Sequence, residues 1–237
     1  VVISSSRIDI PFSKNSRSIK IISKEEIIKS GVKTIIDILK QIPGIDIRRR
    51  GADGIQADLY IRGGTFDQTL LLIDGVKLED SQTGHHNLNF LPPPDLIERI
   101  EIIKGSSARI FGQNAFTGAI NIVTKSQTKK KISFDLSKGS YNRTMGNILY
   151  GSSNEKNSVL LNLSSNSSNG YRHNTDYNFS NYFLKGEFSK KKNPINMLAF
   201  FSDRKFGANG FYANPSATEQ YEETQASLIV FSSTFNK

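Results

Sequence analysis

The chain has 237 residues, 37% hydrophobic and 22% charged, with a formal net charge of +9 and no cysteine. With a mean hydropathy of −0.37, this composition excludes a helical membrane bundle, an acidic disordered tail, a disulfide framework, thiolate zinc and cysteine catalysis. The length suits one or two folded units, two fitting better, and a start at Val1 with no leader pattern reads as a processed chain or a fragment.

Residues 1–125 read as a mixed α/β unit. Ser18 to Ile22 alternates like a strand. Ser23-Lys24-Glu25-Glu26 sets Glu three positions after Ser, a capping-box pattern that opens a short helix closed by Gly31. Thr34 to Ile42 is a second helix, with Ile35, Ile38, Leu39 and Ile42 at helical spacing and Pro43-Gly44 ending it. Extended segments follow at Ile45 to Arg49, Leu59 to Arg62 and Leu70 to Ile73. Asp74-Gly75, between two apolar runs, predicts a tight hairpin because both residues tolerate positive φ. A helical turn after Pro92-Pro93-Pro94 and strands at Ile100 to Ile103 and Ala119 to Thr124 complete the unit.

From about residue 130 the pattern changes to segments of about ten residues with period-two alternation, the signature of outer-membrane barrel strands. Six such segments run over Lys131 to Lys138, Arg143 to Gly151, Asn157 to Ser165, Phe179 to Ser189, Pro194 to Asp203 and Glu222 to Ser232. The second and fourth connections are short, whereas the third (Asn166 to Asn178) and fifth (Arg204 to Tyr221) are long. Barrels have short periplasmic turns and longer outer loops, so this parity places the odd connections outside; a soluble β-sandwich could alternate in the same way. Six strands cannot close around a folded domain, because even eight leave an interior that side chains fill, so more wall is expected beyond Lys237. The basic runs Lys129-Lys130-Lys131 and Lys190-Lys191-Lys192 fit solvated turns better than a nucleic-acid patch, since interleaved aromatics and a recognition helix are missing.

Several stretches of 1–125 together resemble the plug domain of TonB-dependent outer-membrane transporters. They are Val1 to Ile8, Asp37 to Ile45, Ile61-Arg62-Gly63-Gly64, Leu72-Ile73-Asp74-Gly75-Val76, Ile97 to Gly105 and Gly112 to Thr124. The resemblance is nearest to vitamin B12 and siderophore receptors, and Gln82 to Asn89 with Phe206 to Asn209 resemble a Bacteroidetes-type branch. It implies an α+β plug domain over 1–125, followed in 126–237 by the N-terminal strands of an antiparallel transmembrane β-barrel that is 22-stranded when complete. It further implies a Gram-negative outer-membrane protein, held among outer-membrane lipid, that binds a scarce nutrient, cobalamin or a ferric siderophore, and imports it with energy from TonB and its inner-membrane complex.

The resemblance also implies site residues. Val1, Val2, Ile3, Ser4 and Ser5 match the end of the segment that TonB engages by strand addition, or else form a first plug strand. Arg62 and Lys104 match basic residues that latch the plug to the barrel, and Glu98, Arg99, Glu101 and Arg109 could join that network; Lys104-Gly105-Ser106 departs from the family's Arg-Gly-Pro, so a bidentate fork becomes a point charge. Outward plug loops over Arg50 to Ala57 and Lys77 to Phe90 make Asp53, Gln56, Asp80, Gln82, His85, His86 and Asn87 the expected ligand contacts. Adjacent His85-His86 is not a metal-ligand spacing, so neither a metal nor a cofactor is expected. No nucleophile elbow, phosphate loop or paired-carboxylate signature points to catalysis, and no nucleic-acid partner is expected. The competing readings are a soluble basic carbohydrate- or nucleic-acid-binding β module and a receptor that signals without transport.

Overall fold

The computed structural model describes residues 2–3, 10–11, 19–51, 55–105, 111–125, 130–189, 193–212 and 214–233. Val1, Ser4, Ser5, Asp53, Arg109, Lys129 and the Lys190 to Lys192 run lie outside the described residues. The chain divides into two compact units, Val1–Arg49 with Gln56–Lys125, and Arg50–Ile55 with Ser126–Lys237.

In the first unit, β1 (Val2–Ile3) pairs antiparallel with β2 (Ile10–Pro11). β3 (Ile19–Ser23) leads into α1 (Lys24–Ser30), where Ser23 and Glu26 form the reciprocal capping box and Gly31 closes the helix at φ 64°. α2 (Ile35–Lys40) starts at Thr34, whose hydroxyl accepts from the Asp37 N–H, and buries Ile35, Ile36, Ile38 and Leu39. Then come the hairpin β4 (Ile45–Arg49) and β5 (Ala57–Ile61), β6 (Thr69–Ile73), β7 (Val76–Leu78), β8 (Ile97–Lys104) and β9 (Gly118–Thr124). Five of these strands form one sheet in the order β3-β8-β9-β6-β7, with β6 and β9 parallel and the other pairs antiparallel.

β6 and β9 are buried along their whole length, which is why their apolar residues do not simply alternate with polar ones. Asp74 and Gly75 make the predicted turn, both at positive φ (49° and 80°). The Asp74 carboxylate accepts from the Thr124 N–H at 2.8 Å and the Thr124 hydroxyl at 2.5 Å, which ties the turn to β9. At Gly118 a Cβ would stand 2.4 Å from the Ile103 carbonyl oxygen, so only glycine lets β8 and β9 approach there.

The second unit is a six-stranded antiparallel meander paired in sequence order: β10 (Lys131–Lys138), β11 (Thr144–Ser153), β12 (Ser158–Ser168), β13 (Tyr177–Phe188), β14 (Ile195–Gly207) and β15 (Tyr221–Ser233). β12, β13 and β14 run further than the periodicity predicts, so the long connections shrink to 169–176 and 208–220.

The register makes the outer face continuous. Phe134, Ile148, Leu163, Tyr182 and Phe201 lie in one cross-strand row, and Ile132, Tyr150, Leu161, Leu184, Ala199 and Ile229 in the next. Many of these are exposed, Ile132 at 70% and Phe134 at 66% among them. Two residues along from the first row the outer face turns polar over β12 to β15, through Ser165, Ser180, Asp203 and Gln225, while Leu136 at the β10 end of that row stays apolar. The opposite face carries hydrogen-bonded polar side chains: Asn162 donates to the Asn147 side-chain oxygen at 2.6 Å, and the Ser202 hydroxyl to that of Asn181 at 2.8 Å. The exposed apolar band suits lipid on that side, while the opposite face mixes these polar pairs with buried apolar side chains, Leu160, Phe183 and Phe200 among them. Among the described residues no helix is long and apolar enough to cross a membrane.

Candidate functional site

The segment between β7 and β8 folds on itself through Asp80. One carboxylate oxygen of Asp80 accepts from the backbone N–H groups of Gln82 (2.9 Å) and Thr83 (3.1 Å), while the Asp80 N–H donates to the Asn87 side-chain oxygen at 2.9 Å. Thr83 caps the 3-10 turn Gly84–Phe90. These local bonds are the ones short polar side chains make in turns. Below them, His85 Nδ1 lies 2.6 Å from the Asp58 carboxylate, which is buried on β5. A carboxylate only accepts, so Nδ1 carries the proton. The His85 ring packs on Phe66 at 4.0 Å, Phe66 meets Tyr60 edge-on at 6.3 Å, and the Arg48 guanidinium lies 4.5 Å over Tyr60. The Lys77 ammonium, 2.6 Å from Glu79, and the Asn114 amide, 2.8 Å away, hold the Glu79 carboxyl below its usual pKa.

This geometry sorts the expected ligand contacts of the first unit. Asp80 and Asn87 hold the loop together, His85 is committed to Asp58, and His86 Nδ1 lies 3.7 Å from Asp80. Gln82 is exposed. Gln56, expected as an outward contact, is buried at 6%, with its side-chain oxygen unpaired.

The latch residues divide similarly. Arg62 is exposed at positive φ (52°), Glu98 is exposed, and the Lys104 ammonium donates to the Pro43 carbonyl. Glu101 does not fit a latch. It is fully buried in the central sheet, where one carboxylate oxygen accepts from Arg99 Nε at 2.8 Å and the other from the Asn121 amide at 3.2 Å. Asn121 in turn accepts from the Gly75 N–H at 3.0 Å. The Arg99 to Glu101 pair therefore ties β8 to β9 and the β6 to β7 turn, and both oxygens of that carboxylate are taken up inside the sheet.

A constellation that the periodicity gave no reason to expect lies in the second unit. Ile55, Tyr177, Phe179, Phe206, Ala208 and Phe211 form one buried cluster. Tyr177 stacks on Phe179 at 4.9 Å, and Phe206 meets Phe179 edge-on at 6.3 Å. Arg204, 7% exposed, lies 4.2 Å over the Phe179 ring and donates to the Ile55 carbonyl at 3.4 Å. Arg50 donates to the Phe211 carbonyl. Tyr212 donates its hydroxyl to Glu222, and burial first, then that bond, pushes its phenol pKa up. The two long connections are also laced together: Asn174 donates to the Thr218 and Gln220 carbonyls, Asn209 to the His173 carbonyl, and Arg172 to the Asn209 carbonyl. His173 Nε2, 2.7 Å from Glu219, lowers that carboxyl's pKa.

Residues 11–119 match the family described as TonB-dependent Receptor Plug Domain. The first unit carries the plug domain of TonB-dependent receptors. The chain is 37% identical over 126 residues to the vitamin B12 transporter BtuB of Vibrio vulnificus, a match covering 53% of this chain and 20% of that protein. It is 31% identical over 132 residues to BtuB of Photobacterium profundum, covering 56% and 22%. Among solved structures, FpvA of P. aeruginosa bound to heterologous pyoverdines superposes with a TM-score of 0.75 at 14% identity, over 96% of this chain and 33% of FpvA. The alcaligin outer-membrane receptor FauA of Bordetella pertussis gives 0.71 at 16% identity, over 96% and 37%. The chain thus spans about a fifth of the curated relatives and about a third of the solved ones. The first unit is thus an α+β plug, and the six-stranded antiparallel sheet has the fold of the barrel strands in those outer-membrane receptors.

Proposed function

We propose that this chain is the plug and opening wall of a receptor that binds cobalamin or a ferric siderophore and delivers it to the periplasm with energy relayed by TonB. The observation that carries the reading is the joining, in one chain, of a plug-family unit to a sheet whose outer face is an exposed apolar band. A passive pore needs no folded unit of this kind, and a water-soluble binder would not expose Ile132, Phe134, Ile229 and Phe231 together. A plug in the path of the ligand must be displaced against its own packing, so import requires work. Strand addition at Val1 to Ser5 supplies the grip for that work, through backbone groups. The relatives support the substrate class: BtuB is a vitamin B12 transporter, and FpvA was solved with pyoverdines.

The test is growth of a deletion strain on cobalamin or single ferric siderophores as the limiting nutrient, complemented by the full-length gene. Rescue on one of these, lost when TonB is removed, is the expected result. Rescue that persists without TonB, or on none of these nutrients, overturns it.

A further inference from the structure

The geometry points to a clasp that fastens Arg50 and Ile55 to the wall formed by β13, β14 and the connection after β14, and that stays shut whether or not the receptor is energised. The chain leaves the first unit after Arg49 and returns to it at Gln56, so the intervening segment belongs to the second unit while both its ends are covalently continuous with the first. Four contacts hold it. The Ile55 side chain, 2% exposed, is enclosed with Phe179, Phe206 and Phe211. The Ile55 carbonyl accepts from Arg204 and the Phe211 carbonyl accepts from Arg50, so backbone groups at both ends of the clasp are bound by guanidinium groups. Gly51, at φ 81°, lies so close under the Phe211 ring that a Cβ there would stand 2.3 Å from it.

The wall side is itself built to keep its shape. The Ala208 N–H donates to the Gln220 carbonyl at 2.8 Å, the Gly210 N–H to the Ala217 carbonyl at 2.9 Å, and the Phe211 N–H to the Ala208 carbonyl at 3.1 Å, so Phe211 projects from a closed turn. Arg204 lies between the Phe179 face and the Ile55 carbonyl, with Glu222 as its balancing carboxylate. Removing apolar cover from such a desolvated, charge-assisted contact leaves polar groups unmet, which makes opening all-or-none rather than gradual. The clasp has two consequences. Arg50 and Ile55 are fixed points of the wall, not free ligand contacts, and a pull on the chain before residue 50 is resisted here before it reaches Gln56. The second consequence rests on the TonB reading above; the clasp itself does not.

The 237 residues contain no cysteine, so a single thiol is a clean reporter. In the full-length receptor, with any cysteine elsewhere changed to serine, Ile55→Cys is challenged in whole cells with a membrane-impermeant maleimide, with Tyr141→Cys on an exposed turn as reference. A thiol buried in a closed clasp reacts only through opening, so Ile55→Cys should label at least about tenfold more slowly than Tyr141→Cys, equally in energised and TonB-deficient cells. Adding Phe211→Ala should abolish most of that protection. Fast labelling of Ile55→Cys in both cell types with Phe211 present overturns the clasp. Labelling that appears only when TonB is active overturns its permanence and leaves the transport reading intact; slow labelling together with TonB-independent growth overturns the transport reading alone. Should Phe211→Ala fail to assemble, hydrogen exchange of the wild-type peptide spanning Gly51 and Ile55 decides: slow exchange supports the clasp and exchange at loop rates overturns it.

Discussion

The buried carboxylate of Asp58 holds one imidazole, and that limits what His85 can offer a ligand. With Nδ1 donating to Asp58, Nε2 remains as an acceptor on a ring whose face is against Phe66. The pair fixes the direction in which the 3-10 turn Gly84–Phe90 presents its polar groups. Asp58→Ala removes the acceptor and leaves a partly buried N–H unmet, a cost of about 1–3 kcal/mol. The expected outcome is faster amide exchange confined to the region from Glu79 to Phe90, with β5 itself still protected because its core neighbours Leu59 and Ile61 are untouched. Unchanged protection would show that Phe66 stacking alone positions the ring. The histidines themselves were visible in the sequence, but their partner was not: Asp58 precedes His85 by 27 residues and reaches it only through the placement of β5 under the turn.

Elements whose stability is written in adjacent residues are the ones the sequence exposes. The capping box at Ser23 and Glu26, the Gly31 stop, the Thr34 cap and the Asp74-Gly75 turn each depend on contacts within a few residues, and each is where the pattern places it. The clasp is the opposite case. Arg50 and Phe211 stand 161 positions apart, and neither sits in a local pattern that distinguishes it from an ordinary loop residue. The same contrast separates Glu101, visible as a charge but invisible as a buried one, from Glu26. The Glu26 carboxylate accepts from the Ser23 N–H at 2.7 Å, and that bond is the main reason its pKa lies below the ordinary value. Since the folded state favours the charged form, the stabilisation is fully present above the unfolded value of 4.5 and is lost as pH falls through the lowered folded value. Glu26→Gln should therefore reduce protection of the Ile27 to Gly31 amides at pH 7, by a few-fold at most for so exposed a group, and the difference from wild type should shrink toward pH 3. Exchange of the purified receptor, normalised for intrinsic rates, measures both. A deficit in the glutamine variant that does not depend on pH would mean the charge contributes nothing.

At the scale of the whole molecule the period-two alternation of six segments was enough to place six strands, because a strand that meets lipid on one side must alternate to be stable there. Segment ends were less legible: cross-strand partners, not local sequence, carry β12 on to Ser168 and β14 on to Gly207. Those partners also fix where the membrane-facing band stops. Leu163 lies in register with Ile148 and Tyr182, whereas Ser165, two residues along the same strand and on the same face, lies between Gly146 and Ser180. The two positions are roughly 7 Å apart along the strand at the usual rise. A charge placed outward at Leu163 must leave water or distort the bilayer to reach it, and that cost, about 2–4 kcal/mol for arginine at the bilayer midplane, falls to about 0–1 kcal/mol at the interface, which the side chain at Ser165 reaches more readily. Leu163→Arg should thus lower the folding free energy of the full-length receptor in lipid vesicles by the larger amount and reduce the heat-modifiable, folded fraction in outer membranes, while Ser165→Arg leaves both near wild type. If the two substitutions cost the same, the apolar rows are not the lipid face and the band drawn from the register is misplaced; if Ser165→Arg is the worse of the two, the face meets lipid but the edge of the band lies further toward the long connections than Ser165.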